Sequence, residues 1–133
     1  IDDETNVLEA MKAMLATWGC HVETAEDSKQ ALIIVEHGFD PDLAIVDYHL
    51  FGHSGLDVIS ELRERIPDLK AVILTGATEP AIMDKISAFG LSCLSKPIDT
   101  RKLGRFLRAL QSGRQNDQTS DALIAKAASD AGE

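Results

Sequence analysis

Cysteine, positive charge and long apolar runs are all scarce in this 133-residue chain. Its two cysteines, Cys20 and Cys93, lie far apart and form no CxxC or Cys/His ligand spacing, which excludes a disulfide framework and a zinc site and marks both as expected small core residues. Lys and Arg number 13 against 22 Asp and Glu, a net charge of −9, so no broad attraction to nucleic-acid backbones or anionic lipid is available. Direct binding of nucleic acid or membrane by this domain is therefore not expected. No apolar run approaches the roughly 20 residues that span a bilayer, and no basic-then-apolar segment opens the chain. The expectation is a soluble, cytoplasmic protein. Internal repeats are absent, and no Gly-rich phosphate loop follows a candidate strand.

What the chain does have is an alternation of short apolar runs with longer helical patterns, the signature of βα units around a parallel sheet. The runs are 21–25, 43–47, 70–75 and 91–94. Helices are predicted over 5–18, ended by Gly19; 28–37, with Asp27 or Ser28 as N-cap; from Gly55 to Ile66, stopped by Pro67; 79–89, with Pro80 in the first turn; and from Thr100 onward. The fold class is a flavodoxin-like, doubly wound (βα)5 sandwich with a five-stranded parallel sheet, the first strand truncated or missing because the chain opens on Ile1-Asp2-Asp3. A fragment of a longer protein is the expected reason. Composition turns polar after Leu110, which places a domain over 1–110 and a polar tail over 111–133 with a short Ala-rich helix at 119–129.

Asp2, Asp3 and Asp47 each stand where a strand gives way to a loop. In an open parallel sheet those carboxyl ends border the ligand crevice. Three converging carboxylates repel one another unless a hard cation neutralises them, and oxygen ligands suit Mg²⁺. Thr75 ends the 70–75 run and Lys96 follows the 91–94 run, bringing a hydroxyl and an ammonium to the same rim. Acid, metal, hydroxyl and ammonium together suit a phosphoryl group. Taken singly each residue has a plain role: Asp2 and Asp3 as exposed acids or caps, Thr75 as a strand residue, Lys96 as a surface charge. Their appearance at successive strand ends carries the argument.

These residues resemble the receiver domains of two-component response regulators. The resemblance covers Asp2 to about Leu110 and rests on Asp2-Asp3-Glu4, Leu43-Ala44-Ile45-Val46-Asp47-Tyr48-His49-Leu50, Gly55 eight residues past Asp47, Thr75-Gly76 after Val72-Ile73-Leu74, and Ser95-Lys96-Pro97. It implies that Asp47 accepts a phosphoryl group, that Asp2, Asp3, the Asp47 carboxylate and the His49 backbone carbonyl hold Mg²⁺, with Mn²⁺ as a substitute, that Thr75 and Lys96 contact the phosphoryl group, and that Lys96–Pro97 is cis. The implied donor is a histidine kinase or histidine phosphotransfer protein, and the downstream protein partner is unspecified. The family assists its own phosphorylation and dephosphorylation rather than acting as a conventional enzyme. A weaker resemblance, in Asp47-Tyr48-His49-Leu50 and Leu74-Thr75-Gly76, is to the C-terminal receivers of hybrid sensor histidine kinases.

Some positions depart from the family pattern. Phe51 replaces a frequent proline and is expected to touch no ligand, Ala77 offers no polar group to water, and Cys93 replaces an aromatic residue, so an aromatic rotamer switch is not expected there. Two competing readings are an aspartate-nucleophile phosphatase or phosphotransferase, for which the second acid after Asp47 and a substrate cap are lacking, and a flavodoxin-like cofactor carrier, whose phosphate the acidic rim would repel.

Overall fold

The computed structural model describes residues 1–76 and 79–117, and the expected 119–129 helix lies outside them. Five helices and five strands follow in the order α1 (Thr5–Thr17), α2 (Ser28–Glu36), β1 (Leu43–Asp47), β2 (His49–Leu50), β3 (His53–Ser54), α3 (Gly55–Arg65), β4 (Lys70–Thr75), α4 (Pro80–Ala88), β5 (Ser92–Ser95) and α5 (Thr100–Asp117). The caps explain the boundaries. Asp27 accepts from the Gln30 amide at 2.8 Å to start α2, Ser54 accepts from the Asp57 amide at 3.3 Å to start α3, and Pro80 occupies the first turn of α4, where its missing N–H is not needed.

A parallel sheet in the order β1-β4-β5 forms the centre. β4 is buried from Ala71 to Thr75 because it is flanked by a strand on each side and covered on both faces, which is why its sequence reads as a continuous apolar run. Alternation along the strands divides the core. Val46, Ile73 and Cys93 join Ala31, Ile59, Leu62 and Ile86 on the face of α2, α3 and α4, while Ile45, Leu74 and Leu94 join Met11, Leu15 and Leu103 on the face of α1 and α5. Helices on both faces of one parallel sheet make the architecture doubly wound, as the βα alternation predicts.

The five-stranded count is corrected. Residues 21–25 do not form a strand, and Ile1 and Asp2 alone fill the place between them and β1, through Asp2 N–H to Ala25 O at 3.1 Å, Ile1 N to Ile45 O at 2.6 Å and Asp47 N–H to Ile1 O at 2.9 Å. A ladder needs several successive amide–carbonyl bonds, and among the described residues the bond from the Asp2 amide is the one that ties Ile1 and Asp2 to 21–25. The two remaining strands form a hairpin, β2 with β3, which composition did not indicate. Cys20 is exposed rather than in the core, because Gly19 at φ 81° ends α1 and turns the chain outward, whereas Cys93 is half-buried against the α4 side. α5 continues past Leu110 to Asp117, since Gln and Arg are good helix formers whether or not they face a core.

Candidate functional site

Register brings the site together. Asp47 pairs with Leu74, and Thr75 pairs with Ser95, so the carboxyl ends of β1, β4 and β5 finish nearly level. The Lys96 amide donates to the Thr75 carbonyl at 2.9 Å, which carries the parallel pairing one residue beyond β5, and the Lys96–Pro97 bond that follows is cis, as the resemblance implies. Asp2, next to β1, is set by its amide on Ala25.

At this rim the Lys96 ammonium lies 3.3 Å from an Asp2 oxygen and 3.2 Å from an Asp47 oxygen. Asp2 and Asp47 are only 3% and 5% exposed, and Thr75 2%. Asp3 is exposed, yet Asp2, Asp3 and Asp47 each offer a carboxylate oxygen within 4.8 Å of the others. Three carboxylates thus face one ammonium, and two of the three are removed from water. Such a donor set, hard, anionic and short of positive charge by two, fits a divalent cation such as Mg²⁺.

The electrostatics agree. Burial pushes the Asp47 carboxyl above the ordinary carboxylate range; the Lys96 hydrogen bond pulls it back, and the nearby Asp2 charge pushes it up again. For Lys96, burial favours the neutral amine, but the hydrogen bonds and charges of Asp47 and Asp2 together outweigh it, and the net shift is upward. Lys96 is therefore a secure ammonium at neutral pH.

The loop after Asp47 completes the frame. The backbone amide of His49 donates to the Asp47 carboxylate, the Tyr48 amide to Leu74 O at 2.8 Å, and the Gly55 amide to Tyr48 O at 2.7 Å. The His49 ring is exposed and meets the Tyr48 ring edge to face at 4.9 Å. His37 bonds the Ile33 carbonyl at the end of α2, and His21 contacts Glu23 and Phe39, so both belong to surroundings other than this rim.

Sequence reasoning missed one member. The Phe51 amide donates to an Asp3 carboxylate oxygen at 2.9 Å, so the expectation that Phe51 touches no ligand is corrected. A proline there would have no N–H to give. The tight hairpin of β2 and β3 turns this amide back toward the chain's second acid, and no local pattern in the sequence encodes a contact between residues so far apart.

A doubly wound parallel sheet with an acidic cluster, a buried hydroxyl-bearing residue and a lysine at its carboxyl edge defines a phosphoacceptor signalling domain. The chain belongs to the response regulator receiver domain family, whose profile matches residues 1–108. It is 33% identical over 112 residues to the photosynthetic apparatus regulatory protein RegA of Cereibacter sphaeroides, covering 82% of this chain and 59% of RegA. It is also 32% identical to the probable transcriptional regulatory protein TcrX of Mycobacterium tuberculosis, covering 83% of this chain and 47% of TcrX. The chain thus spans about half the length of these relatives. Among solved structures, the response regulator TrrA of Thermotoga maritima in complex with Mg²⁺ and BeF is similar at 30% identity and TM-score 0.70, covering 82% of this chain and 93% of that one. A Burkholderia pseudomallei response regulator with a phosphorylated aspartic acid and calcium is similar at 27% identity and TM-score 0.70, covering 92% and 71%. No helix among the described residues is long and apolar enough to cross a membrane.

Proposed function

We propose that this chain takes a phosphoryl group from a phosphohistidine donor, a histidine kinase or histidine phosphotransfer protein, onto Asp47. The observation that carries the reading is the double contact of the Lys96 ammonium with Asp2 and Asp47 inside a three-carboxylate cluster. An Asp47 carboxylate oxygen attacks phosphorus, an O–P bond forms, and the P–N bond to the donor imidazole breaks with its electrons returning to the ring. Asp2, Asp3, the Asp47 carboxylate and the His49 carbonyl would hold Mg²⁺, or Mn²⁺ in its place. When bound, the cation offsets the repulsion between Asp47 and the incoming phosphoryl oxygens. The Lys96 ammonium turns from carboxylate to phosphoryl oxygen, and the Thr75 hydroxyl donates to another. The domain is assigned to 1–110, and its reaction to the cytoplasmic side, where ATP is available to charge a histidine. The relatives' names support a regulator with an output of its own more than the receiver of a hybrid kinase. Incubation with acetyl phosphate tests the reading: intact-mass measurement should find one added phosphoryl group per chain with Mg²⁺ and none with excess chelator. Absence of labelling in both would remove it.

The Phe51 amide gives a second test. In this reading it holds Asp3 in place for the cation, leaving the other oxygen free. Phe51→Pro deletes the donor and should weaken Mg²⁺ binding by roughly two- to twelvefold, the worth of about 0.5–1.5 kcal/mol for one hydrogen bond. Phe51→Ala keeps the amide and should bind as wild type does. Calorimetric titration compares the two, and equal affinities would show that the contact contributes nothing.

A further inference from the structure

One apolar side chain near the site has no role in the chemistry. The Phe51 ring is 93% exposed, whereas the other exposed large apolar residues among those described, Ile33, Met83 and Phe89, are 39–46% exposed. Single exposed apolar residues are ordinary; this one is distinguished by its place. Its backbone is braced on one side by the hydrogen bond its amide donates to the Asp3 carboxylate and on the other by the β2–β3 hairpin, in which Leu50, buried, pairs with His53. The ring therefore stands out from a fixed turn, beside Gly52, which has no side chain to shield it.

The distance to the chemistry is short: 2.9 Å from the Phe51 nitrogen to Asp3, whose cluster oxygen lies within 4.8 Å of one on Asp47. Asp47 itself is recessed, at 5% exposure. A protein that brings an imidazole-bound phosphoryl group to Asp47 must press its own surface onto the rim and so cover Phe51. We infer that the Phe51 side chain is a docking anchor for the protein phosphodonor, seating in an apolar depression beside the donor's phosphohistidine. This rests on the phosphoacceptor reading above. The chemistry is that of an interface anchor, an aromatic ring with few torsions to freeze, carried on a turn whose backbone is bonded to the exposed acid Asp3. Acetyl phosphate is small enough to reach Asp47 without meeting the ring, which separates docking from chemistry.

The experiment uses the whole chain and two donors: acetyl phosphate, and the fastest donor from a panel of purified, pre-phosphorylated histidine phosphotransfer domains. Phe51→Ala should lower kcat/KM for transfer from that domain at least about tenfold more than it lowers the acetyl phosphate rate of the same variant, and Phe51→Trp should restore transfer. Equal loss with both donors would overturn the anchor in favour of a loop-shaping role, and no loss with either would overturn it outright. Wild type labelled by neither donor would instead bring down the phosphoacceptor reading, and the anchor with it.

Discussion

Asp47→Asn is expected to abolish labelling by acetyl phosphate while making the metal-free protein more stable. The first effect follows from chemistry, since an amide is not a nucleophile at phosphorus and no other carboxylate among the described residues has the same combination of burial, Lys96 contact and His49 amide. The second follows from linkage. Burial raises the Asp47 pKa in the folded state above its unfolded value, so between the two the native state holds more protons than the unfolded state. Stability then falls as pH rises through that window. Asn removes the buried charge and leaves Lys96 paired with Asp2 at 3.3 Å. Thermal melts in chelator should show a higher midpoint for Asp47→Asn than for wild type at neutral pH, and a difference that shrinks toward acid. A lower midpoint at neutral pH would mean that the Lys96–Asp47 pair is net stabilising and that the electrostatic reading of the site is wrong. Loss of labelling together with a raised melting point cannot be mistaken for unfolding.

Gly55→Ala is expected to damage both fold and site. Gly55 opens α3 directly beneath the end of β1, and a Cβ there would run into the Asp47 carbonyl oxygen, with the Asp47 carbonyl carbon at 3.1 Å and Ile73 Cδ1 at 3.2 Å. The demand is for room, because Gly55 has no positive φ. Neither neighbour yields easily: one is backbone, and Ile73 is completely buried. Overpacking of this kind costs about 1–3 kcal/mol. The chain must give by pushing α3 away from β1, which strains the 2.7 Å bond from the Gly55 amide to Tyr48 and displaces Asp47. Labelling by acetyl phosphate should fall by about ten- to a hundredfold, as misplacement of a nucleophile by a fraction of an ångström to an ångström does. Urea unfolding and labelling rates measure the two losses, and wild-type values in both would show that α3 is not held against Asp47 as described.

Much of this was readable from residues alone, and the reasons differ by element. Asp47, Thr75 and Lys96 were legible because strand ends in a parallel sheet are fixed by composition, and strand ends are where ligands bind. The convergence of Asp2 and Asp3 on Asp47 was legible because all three stand at strand ends on the same rim. Gly55 was legible as a motif member, but the contact that demands glycine joins it to a carbonyl eight positions back, which no pattern of side chains reports. The 21–25 run shows the converse failure: apolar composition gives a strand its propensity, yet a ladder exists only where a neighbouring segment offers amides. Phe51 was invisible for a third reason, since its contribution to the acidic cluster is made by its backbone. Exposure of Cys20 was set by the turn at Gly19, where helix termination outweighs the usual burial of a small thiol.

The parallel sheet has one more consequence, for when during its life the molecule becomes competent. Lys96 and Asp2 meet across a sequence separation of 94, and every strand pairing in the central sheet joins segments separated by a helix. Such non-local pairings are the slow ones in folding, because the intervening chain must be ordered before they form. The lysine that completes the cluster also leaves the ribosome long after the acids it contacts. A chain ending before β5 would hold the acids and lack the ammonium, so the charge balance of the cluster exists only once the last strand has joined the sheet.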